Sequence, residues 1–291
     1  MRIEFSAICE KGPVREENQD RYMVSDFAVT VGGESTQGTL RTVAGSKGIL
    51  MAVADGMGGP LGGAQAAELA LKTVSESYSK RSRRDLLERL KAAVEDANKK
   101  ILQTAKGDRD LDGMGTTLTV VHLRGKALHL AHVGDTRIYL SRRGVLTPLS
   151  TDHNVLTKVM GIDPDEARKR VGGNILVQCI GGKAEELFVE TSRLQLCRND
   201  RILLCSDGLH GSVEKDQLAR ILTNADLTAA CKYSYQAALS GGTIDNVTVL
   251  LAQVTDPALP PPKWDAPPRI ERVNELLYDR ASGQLKLTRP G

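Results

Sequence analysis

"MAVADGMGGPLGG", Met51–Gly63, reads as a buried strand that breaks on one acid, Asp55, and then on glycines at 56, 58 and 59. Asp-Gly at a strand end is an ordinary turn signal. Glycine also lets backbone carbonyls and amides come close to an ion or a phosphate. A carboxylate at the end of a strand is held rigidly enough to ligate a metal. The stretch alone leaves both readings open, so the strands and acids around it must decide.

Apolar, β-branched runs recur at Ile49–Ala54, Thr117–Leu123, Ala127–Val133, Arg137–Leu140, Arg201–Cys205 and Asn246–Val254. Short turns such as Arg124-Gly125-Lys126 and Arg142-Arg143-Gly144 join several of them at hairpin distance, which implies antiparallel sheets. Helical spacing falls between the runs. Leu86, Leu90, Val94, Ala97 and Ile101 follow Asp85, a plausible N-cap, and Ala67, Leu71, Val74 and Tyr78 mark a helix over Ala64–Tyr78. Two more helices fit Glu214–Leu222 and Leu227–Leu239. Helices grouped between strand runs predict an α+β fold. The polar, Gly-rich stretch Thr30–Gly48 reads as a long loop or a loose hairpin.

After Val254 the character changes. "TDPALPPPKWDAPPR" predicts an extended linker, so residues 1–255 are expected to form the domain and 256–291 a linker and tail outside it. Within the tail, Ile270–Tyr278 fits one short helix with Val273 and Leu277 as its apolar edge, or a disordered segment.

Composition bounds the partners. The 291 residues carry 39 basic and 36 acidic side chains, a net charge of +3, a balance too even to argue for nucleic acid or an anionic membrane as partner. The basic run Lys80–Arg84 is local and reads as a solvated helix approach. Aromatics make up only 3%, so Leu, Val, Ile and Ala must build the core. The cysteines at 9, 179, 197, 205 and 231 are odd in number and show no CxxC spacing; Cys179 and Cys205 read as reduced core residues. No apolar run reaches the ~18 residues of a membrane helix, and the start, with Glu4, has no signal core. A cytoplasmic location is expected.

Three further acids bound apolar runs: Asp207 in "RILLCSDG", Asp245 in "GGTIDNVTVLLAQV" and Asp20 in "REENQDRYMV". A sheet edge can gather four such carboxylates. Bare, they would repel one another and need cations. Oxygen ligands without His or Cys nearby in sequence favour Mg²⁺ or Mn²⁺ over Zn²⁺.

The order of motifs resembles the metal-dependent serine/threonine protein phosphatases, the type-2C or PPM family, in its bacterial form. The matching pieces are Gly12 with "VREENQDR", then "VADGMGG", "GMGTTLTVV", "HVGDTRIYL", "STDHN", "LLCSDGL" and "DNVTVLLAQV", over about residues 5–254. The resemblance implies a sandwich of two antiparallel sheets flanked by helices. It implies that Asp55 bridges two metal ions and that the Gly56 carbonyl binds one of them. Asp207 and Asp245 would hold the other ion, with Asp20 as a ligand or a holder of metal-bound water. Asp112 would bind a third, weaker ion together with Asp207. Arg15 would grip the substrate phosphate, which its planar fork suits. A water shared by two ions roughly 3.5–4 Å apart would then attack phosphorus, with no phospho-enzyme and no Cys-x5-Arg loop.

The sequence departs from the family pattern at two positions: Met57 stands where many members have a His proposed as general acid, and Gln19 where Glu is common. About Val155–Gly182 matches the family's mobile flap. Several residues keep plainer readings: Asp135 and Arg137 a structural pair, His122, His129 and His132 strand residues, His153 without assigned chemistry, and the "GMGTT" glycines no nucleotide loop. The function implied is hydrolysis of phosphoserine and phosphothreonine in proteins by a cytoplasmic monomer opposing a Ser/Thr kinase. Rival readings are a partner-switching phosphatase of one regulator and a catalytically dead scaffold that binds phosphoproteins. The intact acid set argues against the scaffold.

Overall fold

The computed structural model describes residues 1–289 except 28–29, 33–34, 37, 81–84, 168–169, 171–174, 183–185 and 264–266. Most of the basic run Lys80–Arg84 lies outside the described residues. The strands of the first half are β1 (Arg2–Glu10), β2 (Asp20–Ser25), β3 (Thr30–Gly32), β4 (Leu40–Val43), β5 (Ile49–Met57), β6 (Gly115–Thr116), β7 (Leu118–Arg124) and β8 (Ala127–Val133). Those of the second half are β9 (Arg137–Arg142), β10 (Val145–Pro148), β11 (Ile180–Gly181), β12 (Glu190–Gln195), β13 (Arg201–Cys205), β14 (Val247–Val254), β15 (Ile270–Asp279) and β16 (Gln284–Thr288). The helices are α1 (Gly59–Lys80), α2 (Leu86–Lys106), α3 (Pro164–Ala167), α4 (Asp207–His210), α5 (Lys215–Ile221) and α6 (Leu227–Ser240).

Two sheets form, both antiparallel. The first has strand order β10-β9-β13-β14-β1-β4; the second runs β11-β6-β5-β7-β8-β12-β15-β16, with β2 also beside β5 and β3 beyond β2. The side-chain period of a strand explains why the central runs are apolar throughout. In β5, Ile49, Met51 and Val53 face the core between the sheets, while Leu50, Ala52 and Ala54 face α1 and α2. In β14, Leu250, Ala252 and Val254 face the same inter-sheet core, and Val247, Val249 and Leu251 face the helices on the other side. Four layers therefore enclose three cores, and a central strand has no wet face. Asp85 caps α2 as expected, accepting from the N–H of Leu87 at 2.9 Å.

The stretch Thr30–Gly48 contributes to both sheets: β3 pairs with β2, and β4 pairs with β1. Ile270–Tyr278, read from sequence as a short helix or a disordered segment, is instead in β15, antiparallel to β12 and followed by its hairpin partner β16. The open edge of β12 offers a row of unpaired backbone groups, and pairing with it outweighs the segment's helical spacing. Leu276 is fully buried there, while Leu277, expected on an apolar helix edge, is exposed.

Candidate active site

The four acids arrive from both sheets at one end of the sandwich. In the register of β2 with β5, Asp20 stands directly opposite Asp55. In the other sheet, Asp207 follows β13 and Asp245 precedes β14, its antiparallel neighbour. Crossing bonds hold the two halves together. The Ser206 hydroxyl donates to Asp20 Oδ2 at 2.6 Å and accepts from the Thr248 N–H at 2.9 Å.

The glycine directly after Asp55 has a steric reason in this fold. A Cβ at Gly56 would sit 2.1 Å from the Gly63 carbonyl oxygen, because the end of β5 packs directly against the first turns of α1. Gln19 works in the same joint. Its carbonyl accepts from the Gly56 N–H at 3.2 Å, and its side-chain amide donates to the Gly59 carbonyl at 2.9 Å. A glutamate at 19 has no donor for that carbonyl, so the departure from the family pattern serves a bond here.

The electrostatics are those of crowded carboxylates. Burial, then the nearby Asp207 and Asp245, pushes the Asp20 carboxyl up to about 7. Burial and Asp245 push Asp207 up to about 6. Asp55 is raised by burial and by Asp20 and Asp207, and its carboxyl lies within hydrogen-bond reach of Asp207. Among the described residues, Asp20 Oδ1 and Asp207 Oδ1 are buried without a hydrogen-bond partner. Orphaned anionic oxygens in a low-dielectric pocket call for a cation. The side chains gathered there are all carboxylates, which suits Mg²⁺ or Mn²⁺. No three His, Cys, Asp or Glu side chains among the described residues close on a single ion-sized point. The fit therefore rests on the orphaned oxygens and the mutual repulsion.

Arg15 reaches the cluster and forks on Asp245, with Nε 2.8 Å from Oδ1 and Nη2 2.6 Å from Oδ2. About half of the Arg15 side chain stays exposed to solvent. Asp112 is exposed at the end of the 3-10 turn Arg109–Leu111, two residues before Met114, whose Cα lies against Gly58 of the Asp-Gly loop. Met57, at the end of β5, pairs with Gly115 and brings no proton donor.

The structure corrects one pairing. Arg137 forks on Asp152, at 2.8 Å to each oxygen, and not on Asp135. Asp135 belongs to the acidic cluster, its carboxyl raised by burial and by Asp207, while its carbonyl accepts from His210 Nε2 at 2.9 Å. The three histidines lie in strands, as expected, and are buried; burial lowers His122 to about 4 and His132 to about 3. Cys205 is core, whereas Cys179 is only half-buried. Sequence reasoning missed Asn246. Its Oδ1 accepts from the Gln19 N–H at 2.9 Å, and its Nδ2 donates to the carbonyls of Lys11 and Glu17 at 2.7 and 2.9 Å. That single amide sets the loop carrying Arg15, and its place beside Asp245 was the available clue.

Two antiparallel sheets thus lie between helical layers, and strand-end acids from both meet at one edge of the sandwich. The family model described as "Protein phosphatase 2C" matches residues 30–241. The chain belongs to the protein phosphatase 2C family. It is 34% identical over 210 residues to serine/threonine protein phosphatase PstP of Mycobacterium tuberculosis, which covers 71% of this chain and 40% of that relative. The matched part of the chain thus spans about two fifths of that relative's length. Serine/threonine phosphatase stp of Listeria monocytogenes is 33% identical over 214 residues, covering 70% of this chain and 84% of the relative. The crystal structure of the M. tuberculosis phosphatase PstP/Ppp superposes with a TM-score of 0.73 at 30% identity, over 88% of this chain and all of that one. The PstP catalytic domain in complex with two manganese ions gives a TM-score of 0.70 at 31% identity, over 88% of this chain and 100% of that one. Among the described residues, no helix is long and apolar enough to cross a membrane.

Proposed function

We propose that the chain hydrolyses phosphoserine and phosphothreonine in proteins, with Mn²⁺ or Mg²⁺ as cofactor. The carrying observation is the meeting of Asp20, Asp55, Asp207 and Asp245 from two sheets, with two buried oxygens unpartnered and Arg15 at the rim. Asp55, Asp207, Asp245, Asp20 and the Gly56 carbonyl are the residues that would hold two ions, and Asp112 with Asp207 a third. Bound there, such ions supply an activated water and charge neutralisation for an in-line displacement.

The chain's own residues do the rest. Arg15 is half in solvent, so its guanidinium can meet an incoming phosphate with the same fork that it presents to Asp245. Asp55 and Asp207 would hold the ions whose positive charge offsets that of the phosphate. Cysteines play no part: burial first, then Asp20, pushes the Cys9 thiol up to about 11, burial pushes Cys205 and Cys231 to about 12, and burial also raises Cys179 and Cys197, so none is favoured as a thiolate at neutral pH. We infer a cytoplasmic monomer that opposes a Ser/Thr kinase; the free thiols support a reducing setting.

Release of phosphate from a phosphothreonine peptide with Mn²⁺ tests the reading. Turnover is expected with the ion, and none with EDTA or in Asp55→Asn. Arg15→Ala is expected to raise KM more than it lowers kcat. Activity that survives EDTA would overturn the reading.

A further inference from the structure

The segment from Asn154 to Gly181 borders the acidic site at both roots. At the first, the His153 N–H donates to the Gly134 carbonyl at 2.8 Å, one residue from Asp135. At the second, β11 pairs with β6, which itself pairs with Gly56 and Met57 of β5. Between the roots, Arg137 holds Asp165 of α3 at 2.8 Å. Lys158, on the π-helical turn Val155–Val159, points inward and is buried.

Lys158 ends in a closed cluster. Its Nζ lies 2.6 Å from Glu190 Oε1 on β12 and donates to the Leu276 carbonyl at 3.0 Å. The Leu276 N–H donates to the same Glu190 oxygen at 2.7 Å. Leu276 belongs to β15, in a hairpin outside residues 30–241, the part that the family model matches. One carboxylate thus joins the backbone of the C-terminal hairpin to an ammonium of the segment beside the site.

The cluster depends on all three members. A buried ammonium persists only when paired and hydrogen-bonded. His153 faces Glu190 Oε2 at 3.4 Å, but burial lowers both His153 and His132, so neither supplies a lasting positive charge. Lys158 is the cation that answers Glu190, and the C-terminal strand supplies the acceptor that completes its bonding.

We propose that the C-terminal hairpin is a specificity brace: acting through Glu190 and Lys158, it fixes residues 155–167 beside the acidic site, and Lys158 is a positioning residue that sets which phosphorylated sequences are accepted. This rests on the phosphatase reading above. A small aryl phosphate needs only the acids and Arg15. A phosphopeptide carries residues on both sides of its ester, and these must lie against whatever borders the site.

The test uses the full chain with Lys158→Met and, separately, Asn274→Ala. Asn274 Oδ1 accepts from the Thr191 N–H and hydroxyl at 2.6 and 3.0 Å, so its loss loosens β15 from β12 without touching a charge. Hydrogen exchange is followed over 155–167, with β13 and β14 as a check that the sandwich is intact. Kinetics with Mn²⁺ use p-nitrophenyl phosphate and two phosphothreonine peptides that differ in flanking residues. Both variants are expected to exchange at least about tenfold faster over 155–167, an opening of the local structure. They should shift the kcat/KM ratio between the two peptides at least about threefold, and leave the small substrate within about twofold. Unchanged exchange over 155–167 in both variants overturns the brace. Equal losses on peptides and small substrate overturn the specificity role. A parent protein inert towards every substrate overturns the phosphatase reading and the specificity role with it, while the exchange result still decides the brace.

Discussion

Asp207 lies among Asp245, Asp55 and Arg15, and burial with Asp245 pushes its carboxyl up to about 6. In the unfolded chain it titrates near ~3.9. Between those values the folded protein keeps a proton that the unfolded chain has released. Without metal, stability from this group therefore falls as pH rises through the window, and the full penalty is present above about 6. Asp207→Asn removes it. In EDTA the variant should match the parent near pH 4 and exceed it by up to about 3 kcal/mol at pH 7.5. Thermal melts of both proteins across that range check this, and taking the difference cancels the opposite trend from the buried histidines. Manganese should raise the parent's melting temperature and not the variant's. Asp55 and Asp207 were legible because an apolar run that ends in Asp-Gly is a local pattern. Ser206, Asn246 and Asp135 were not, because their roles lie in bonds and proximity across 42 to 227 positions of chain or in burial itself.

β13 and β14 are the elements that set the spacing of Asp207 and Asp245. The first turn of α4 lies so close to the start of β14 that a Cβ on Gly208 would meet the Asn246 carbonyl oxygen at 2.0 Å. Gly208→Ala must push these two elements apart, at a cost of about 3 kcal/mol. It should also lower metal affinity, because the two acids move with their elements. Denaturant melts with calorimetric manganese titration measure both effects; a variant with parental stability would show that the joint yields freely. The central strands and long helices were legible because their faces are covered on both sides or on one, which leaves strong periodic patterns. β15 was not. Its few apolar residues also fit a helical spacing, and only the distant edge of β12 selects the strand.

The sandwich as a whole closes at its second sheet with β15 and β16, although the sequence suggested a tail outside the domain. Deleting 256–291 removes buried Leu276 and the acceptor for Lys158, and opens the edge of β12. The truncated chain should melt more than about 5 °C lower than the parent and associate more readily at high concentration. An unchanged melting curve would show that the hairpin only rests on the sheet. The origin of the acids has a mechanical consequence. Asp20 and Asp55 hang from one sheet, Asp207 and Asp245 from the other, so the gap between the pairs is the gap between two slabs. The sandwich works as a caliper whose jaws are carboxylates and whose spacer is hydrocarbon. Leu250 is part of that spacer, wholly enclosed and without a role at the jaws. Trimming it by Leu250→Ala lets the slabs settle inward, and the jaws should then favour the smaller cation: the Mg²⁺ to Ca²⁺ affinity ratio should rise.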